Sequence, residues 1–249
     1  MAEYQKIYIN GNETKMKEAF DTLVTIGLAD HVTLEHNGSS QPVIDIYDEN
    51  NNSMFTITNY TTFVGRNADG DTVTIPKTSY SASNDSTKIW TYVLKNAFTC
   101  RNGIIFTMNA VQGGQNPGQV LSNWIMFTGN SATTGAGRPV PVMIGCGPAD
   151  YNYTTDGTVV RNAMNIQYVS CWTDDSPMNT IPAAAPTQTN QCILVPFFTT
   201  AKVDEVSYTP YAGRFMAGNM NQLITDSEIH VISFNNARWL TNGYWALQL

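Results

Sequence analysis

The sequence predicts a mainly β protein, an antiparallel β-sandwich or jelly-roll-like domain carrying a small N-terminal α+β unit. Three observations lead there. From Lys88 onward, short apolar or alternating segments recur between Gly, Asn and Asp turn residues, which is the pattern of antiparallel strands. Only one stretch repeats at helical spacing, with Met16, Ala19, Phe20, Leu23 and Val24 on one apolar face. Asn242-Gly243 stands between two runs of β-formers, Arg238-Trp239-Leu240-Thr241 and Tyr244-Trp245-Ala246-Leu247. An Asn-Gly pair in that setting is a strong hairpin signal, because a type I′ turn needs positive φ at both central residues.

Taken in order, Lys6–Ile9 reads as a short strand ended by Asn10-Gly11. The helix follows over Thr14–Ile26, with Asn12 or Thr14 able to cap its start and Gly27 its end. Its apolar face carries no polar cluster, so it is a packing element. From His31 the period changes to two: Val32, Leu34, Val43, Ile44 and Ile46 mark strands, and residues 54–58 form the returning strand beyond the turn-rich 48–53. These pieces define an expected α+β attachment unit over residues 1–60. Residues 61–87 are polar and rich in Gly, Ser and Asp, and read as a linker or exposed excursion holding one short strand at 72–75. Residues 88–249 are the β domain, with strands expected at 88–97, 103–109, 122–128, 140–146, 165–171, 192–199 and 213–217. A second turn at Asn235-Asn236 converts the end of the chain into a three-strand meander. Residues 173–190 contain three prolines, which exclude a central strand and favour extended chain.

The 249 residues are enough for a sizeable core. Charged residues make up 13% of the chain, against the usual share of about 25%, so the polar surface comes from Asn, Thr, Ser and Gln. The net charge is −7, with no Lys/Arg run, which excludes binding to a nucleic-acid backbone. No apolar run approaches the length of a membrane span, so no membrane insertion is expected. The N-terminus lacks a signal-peptide pattern, and the expectation is a protein made in the cytoplasm without classical export. Cys100, Cys146, Cys171 and Cys192 are widely spaced and lie among apolar residues, so buried free thiols are expected, with one disulfide left open.

The chemistry-bearing residues do not assemble into a motif. His31, His36 and His230 form no metal-binding or metalloprotease spacing, and no nucleophile elbow occurs. Asn67-Ala68-Asp69-Gly70-Asp71 alternates oxygen side chains but falls short of a calcium loop and reads as a turn. The glycines at 113–114 and 135–137 lack the Lys-Ser/Thr and helix that a phosphate loop requires. No catalytic, cofactor or metal residue is therefore assigned. Trp90, Trp124, Trp172, Trp239 and Trp245 belong to cores or interfaces by default. Tyr151-Asn152-Tyr153, expected in a loop, is the best-placed segment for stacking on a sugar ring.

The closing segment, with Trp239, Asn242, Gly243, Tyr244 and Trp245 as its structural hairpin, resembles the last hairpin of accessory virion proteins of tailed phages and prophages of Gram-positive, mainly clostridial, bacteria. Tyr211-Ala212-Gly213-Arg214-Phe215 and Leu194-Val195-Pro196-Phe197 are similar to the same group, and the likeness is clearest over roughly the last fifty residues. The resemblance implies a non-enzymatic component of a tailed bacteriophage particle, either a tail, baseplate or fibre protein or a capsid decoration or head fibre. It implies other virion proteins as partners and a homo-oligomer, with a trimer among the forms open to it, and it allows contact with a host cell-surface glycan. A carbohydrate-binding module is the alternative reading. A polysaccharide hydrolase ranks last, since it needs two carboxylates converging across a cleft and the sequence offers acids without a motif.

Overall fold

The computed structural model describes residues 3–38, 40–66, 72–74, 79–82, 85–112, 124–133, 138–147, 151–153, 159–161, 163–170, 178–182, 193–198, 201–203, 206–208, 211–219, 229–241 and 245–249. The chain begins β1 (Tyr4–Tyr8), α1 (Glu13–Thr25), β2 (His31–Asn37), β3 (Gln41–Tyr47), β4 (Ser53–Thr58), β5 (Thr62–Arg66) and β6 (Thr72–Thr74). It continues through β7 (Ser79–Ala82), β8 (Asp85–Cys100), β9 (Gly103–Gln112), β10 (Trp124–Thr133), β11 (Pro139–Gly147), β12 (Tyr151–Tyr153), β13 (Val159–Arg161), β14 (Ala163–Ser170) and β15 (Met178–Pro182). It ends with β16 (Ile193–Phe198), β17 (Ala201–Val203), β18 (Val206–Tyr208), β19 (Tyr211–Asn219), β20 (His230–Phe234), β21 (Ala237–Thr241) and β22 (Trp245–Gln248). The protein is mainly β, its strands pair antiparallel, and α1 is the one helix among the described residues.

The helix forms where the apolar spacing requires it, and both ends are chemically closed. Asn12 caps it, its side chain accepting from the Lys15 amide at 3.0 Å. At the other end the Gly27 N–H donates to Val24 O and the Leu28 N–H to Leu23 O, the paired bonds of a Schellman motif. That motif needs a left-handed residue, and Gly27 supplies it at φ +76°. Met16, Ala19, Phe20 and Leu23 are buried, as their spacing demands.

Strands β2–β6 form a five-stranded sheet in sequence order. In β3 burial alternates residue by residue, placing Ile44 and Ile46 inside and Val43, Asp45 and Tyr47 outside. The central sheet has the order β1-β8-β9-β10-β11-β14-β15, with β7 also paired to β8. One face of it meets α1 and the β2–β6 sheet in a single core. Phe127 stands at the middle, with edge-to-face contacts to Phe20 at 5.3 Å and Phe55 at 5.4 Å, while Phe20 stacks on Phe106 at 4.6 Å. The opposite face is also covered: Ile105, Met126, Val142 and Ile144 are fully buried, and β19 of a third sheet lies against β10. That third sheet has the order β16-β19-β22-β21-β20.

Several expectations need correction. The core does not divide after residue 60, since Ile7, Phe20 and Phe55 share one cluster with Phe106, Phe127 and Met143. Within the expected α+β unit, β1 is a strand of the central sheet, with Tyr4 opposite Cys100 and Tyr8 opposite Asn96. Residues 61–87 are more than a linker, because β5 and β6 complete the five-stranded sheet and β7 pairs with β8. Within the expected irregular stretch, Met178–Pro182 pairs with β14 at the sheet edge, where a proline costs no ladder bond. The turn at Asn235-Asn236 forms as expected, with φ of +50° and +57° and Phe234 opposite Ala237. The last hairpin, β21 with β22, is antiparallel. A two-residue turn on Asn242-Gly243 would set Thr241 opposite Tyr244, whereas Thr241 lies opposite Ala246. The offset is even, so it leaves each side chain on its expected face. Asn242, Gly243 and Tyr244 lie outside the described residues, as do the oxygen-rich segment 67–71 and both glycine stretches.

Candidate functional site

The terminal meander folds inward. Trp239 is buried, packs on Ile232, Ala237 and Ala246, and donates from its indole N–H to Phe234 O at 3.0 Å. Leu240, Leu247 and Leu249 are buried as well. The strand end is tied to the β8–β9 turn: Asn102 Nδ2 donates to Gln248 O at 2.7 Å and Arg101 Nη2 to Leu249 O at 3.1 Å. Glu3 forms an ion pair with Arg238, which joins β1 to the meander. First strand, central turn and last strand therefore meet at one corner. The sequence marked Trp239, whose own contacts stay within the meander, but not the ties of Gln248, Leu249 and Arg238 to Asn102, Arg101 and Glu3, because those contacts span more than half the chain.

Large apolar side chains remain in solvent near this corner. Tyr8 is 63% and Phe234 45% exposed, and they sit on β1 and β20, each an edge strand of its sheet. Tyr4 is also exposed, and its ring lies 6.3 Å from that of Phe98. Between the two tyrosines, the Lys6 ammonium sits 4.9 Å above the Tyr8 ring and 5.3 Å above the Phe98 ring. A lysine on an edge strand discourages another strand from pairing there, so this surface presents side chains more readily than backbone.

Beside it runs a groove of about 1010 Å³ between β1, the C-terminal end of α1 and the β8–β9 turn. Tyr4, Gln5, Thr22, Thr25, Thr99 and Arg101 line it. Cys100 forms part of its floor as a buried free thiol. Burial pushes that thiol up, and the Asn102 and Gly103 amides and the Arg101 charge offset the rise in part. A thiol held protonated in this way is a poor nucleophile.

On the outer face of the β2–β6 sheet, Arg66 Nη1 donates to Ser53 Oγ at 2.7 Å, and Thr56 Oγ1 donates to Asp45 Oδ1 at 2.5 Å. Ser53 Oγ also reaches Asp45 Oδ1 at 3.2 Å, so a cation and an anion are joined through hydroxyls in a self-satisfied network. His31 Nδ1 pairs with Asp30 at 3.1 Å and its ring stacks on Tyr47. An oriented imidazole is half of a nucleophilic machine, but among the described residues no hydroxyl or thiol hydrogen-bonds to it. Nor does any group of three or more His, Cys, Asp or Glu among the described residues form a metal-binding cluster.

Tyr151-Asn152-Tyr153 is strand β12, not loop, with Tyr151 opposite Arg161 and Tyr153 opposite Val159 in a two-stranded ribbon. Trp245 lies on β22, opposite Ala217 of β19. Of the cysteines, Cys146 is on β11, and Cys171 and Cys192 fall outside the described residues. No protein-family model, curated protein or solved structure matches this chain. The corner geometry, and not kinship, therefore has to support any functional reading.

Proposed function

We infer that the protein is a non-enzymatic structural component of a tailed bacteriophage particle, exposed on the virion and acting through assembly contacts. The observation that carries this reading is the pair of exposed aromatics, Tyr8 and Phe234, on edge strands of two different sheets. Large apolar side chains on unpaired edges are a liability in an isolated molecule and an asset where a neighbour covers them. Deep burial of Trp239 and the tied strand end supply a rigid platform for such contacts. In this reading the third sheet closes over the central sheet as the second half of a sandwich, and the partners are other virion proteins and further copies of the same chain. Tail, baseplate or fibre, and capsid decoration or head fibre, are the positions that fit. Mass spectrometry of purified particles should find the protein at a fixed copy number. Its absence from intact particles, together with a monomer in solution at high concentration, would end the proposal.

A further inference from the structure

Strand β1 lies at the edge of the central sheet, and one face of it is a strip of aromatic and cationic side chains. Tyr4, Lys6 and Tyr8 are exposed there, on the face opposite the buried Ile7. The Lys6 ammonium sits over two rings, Tyr8 on its own strand and Phe98 across the strand pair. The rings hold it in place, yet it forms no ion pair among the described residues, whereas Lys15, Lys17 and Arg238 each have a carboxylate. A positioned cation between exposed rings is complementary to a carboxylate beside apolar surface.

The acids of the chain point to the occupant. Asp and Glu number 20 against 13 Lys and Arg, so a further copy brings an excess of carboxylates. Several of these are taken: Glu3, Glu13, Glu18, Asp21 and Asp30 each pair with a base. Glu35 and Glu49 are exposed and form no ion pair among the described residues. Glu49 belongs to the tight turn closed by the Asp48 and Asn52 backbones. Glu35 lies on β2, the edge strand of its sheet, opposite the half-buried Val43. A two-fold contact of the β1 strip with itself would set Lys6 against Lys6, like charge on like, so the contact joins two different surfaces.

We propose that copies of this chain associate head to tail, the Tyr4, Lys6 and Tyr8 strip of one copy seated on β2 of the next, with Lys6 paired to Glu35 and a tyrosine ring covering Val43. Such a heterologous contact builds rings or filaments, the geometry that repeated subunits of a particle use. The inference rests on the reading of the protein as an assembly component and names the surfaces that meet.

The test is sedimentation velocity of the full chain over a range of concentration. The parent should self-associate, and Lys6→Glu and Glu35→Lys should each weaken association about tenfold or more by opposing like charges. Combining the two reverses the pair and should restore association. Tyr8→Ser should weaken it as well. Lys6, Tyr8 and Glu35 are exposed, so every variant should keep the parent's circular dichroism. The proposal is overturned if the parent stays monomeric at millimolar concentration, if either charge variant associates like the parent, or if the double variant stays as weak as the single ones. Particle content is a separate readout: protein at a fixed copy number in particles but monomeric in solution overturns only this contact, whereas absence from particles leaves a rescued contact standing.

Discussion

At the scale of single residues, two positions hold the molecule together for different reasons. Phe127 touches the rings of Phe20, Phe55 and Phe106, so it joins the helix, the five-stranded sheet and the central sheet at one point. Phe127→Ala should cost about 3–5 kcal/mol, the range for emptying a buried aromatic site, read from urea unfolding followed by circular dichroism. Gly103 is required by close approach: a Cβ there would sit 2.3 Å from Phe127 O. Cys100 gives a pH prediction. The folded protein holds its thiol protonated beyond the ordinary value of 9.0, so the unfolded chain loses that proton first as pH rises. Its contribution is intact below that value and is lost above it. Tm should therefore fall more steeply in alkali for the parent than for Cys100→Ala, and equal slopes would refute the assignment. Tyr60, raised by burial and by Glu13, acts in the same direction at still higher pH in both proteins.

At the scale of elements, the helix and the turns were the most legible parts of the sequence. The apolar spacing placed the helix over Thr14–Ile26, and it spans Glu13–Thr25, because capping residues and a left-handed glycine mark the ends locally. Asn12→Ala should cost about 1 kcal/mol through the lost cap, and Gly27→Ala about 1–2 kcal/mol through the left-handed penalty. Both should appear as shifts of the urea midpoint with unchanged slope. Strand β15 and the ribbon of β12 with β13 were not legible, since three to five residues carry too little periodicity to separate from loop. Ile104-Ile105-Phe106, Ile125-Met126-Phe127 and Val142-Met143-Ile144 are continuous apolar triplets, the mark of strands covered on both faces.

At the scale of the whole molecule, the unbroken core makes a prediction about cooperativity. Residues 88–249 expressed alone would expose the face of Ile104, Phe106, Phe127 and Met143 that α1 and the β2–β6 sheet cover. That fragment should aggregate or stay unfolded, and the complete chain should melt in one transition with matching calorimetric and van't Hoff enthalpies. A fragment that folds cooperatively would restore the boundary after residue 60. The candidate groove belongs to this scale too. Gln5, Thr25, Thr99, Arg101 and Leu249 come from β1, α1, β8, the β8–β9 turn and the residue after β22, so no local spacing could have announced them.

What could be read from the chain alone was whatever depends on neighbours along it: the helical face, its caps, the Asn235-Asn236 turn, the abundance of strands and the sparse charge. These follow from backbone sterics and short-range periodicity, which act within about one turn or one hairpin. Folding alone settled which sheet each strand joined, that the first strand lies beside the long β8, and that one core joins residues from both sides of position 60. Those outcomes rest on burial and pairing between residues far apart in the chain, and such contacts leave no trace in local composition.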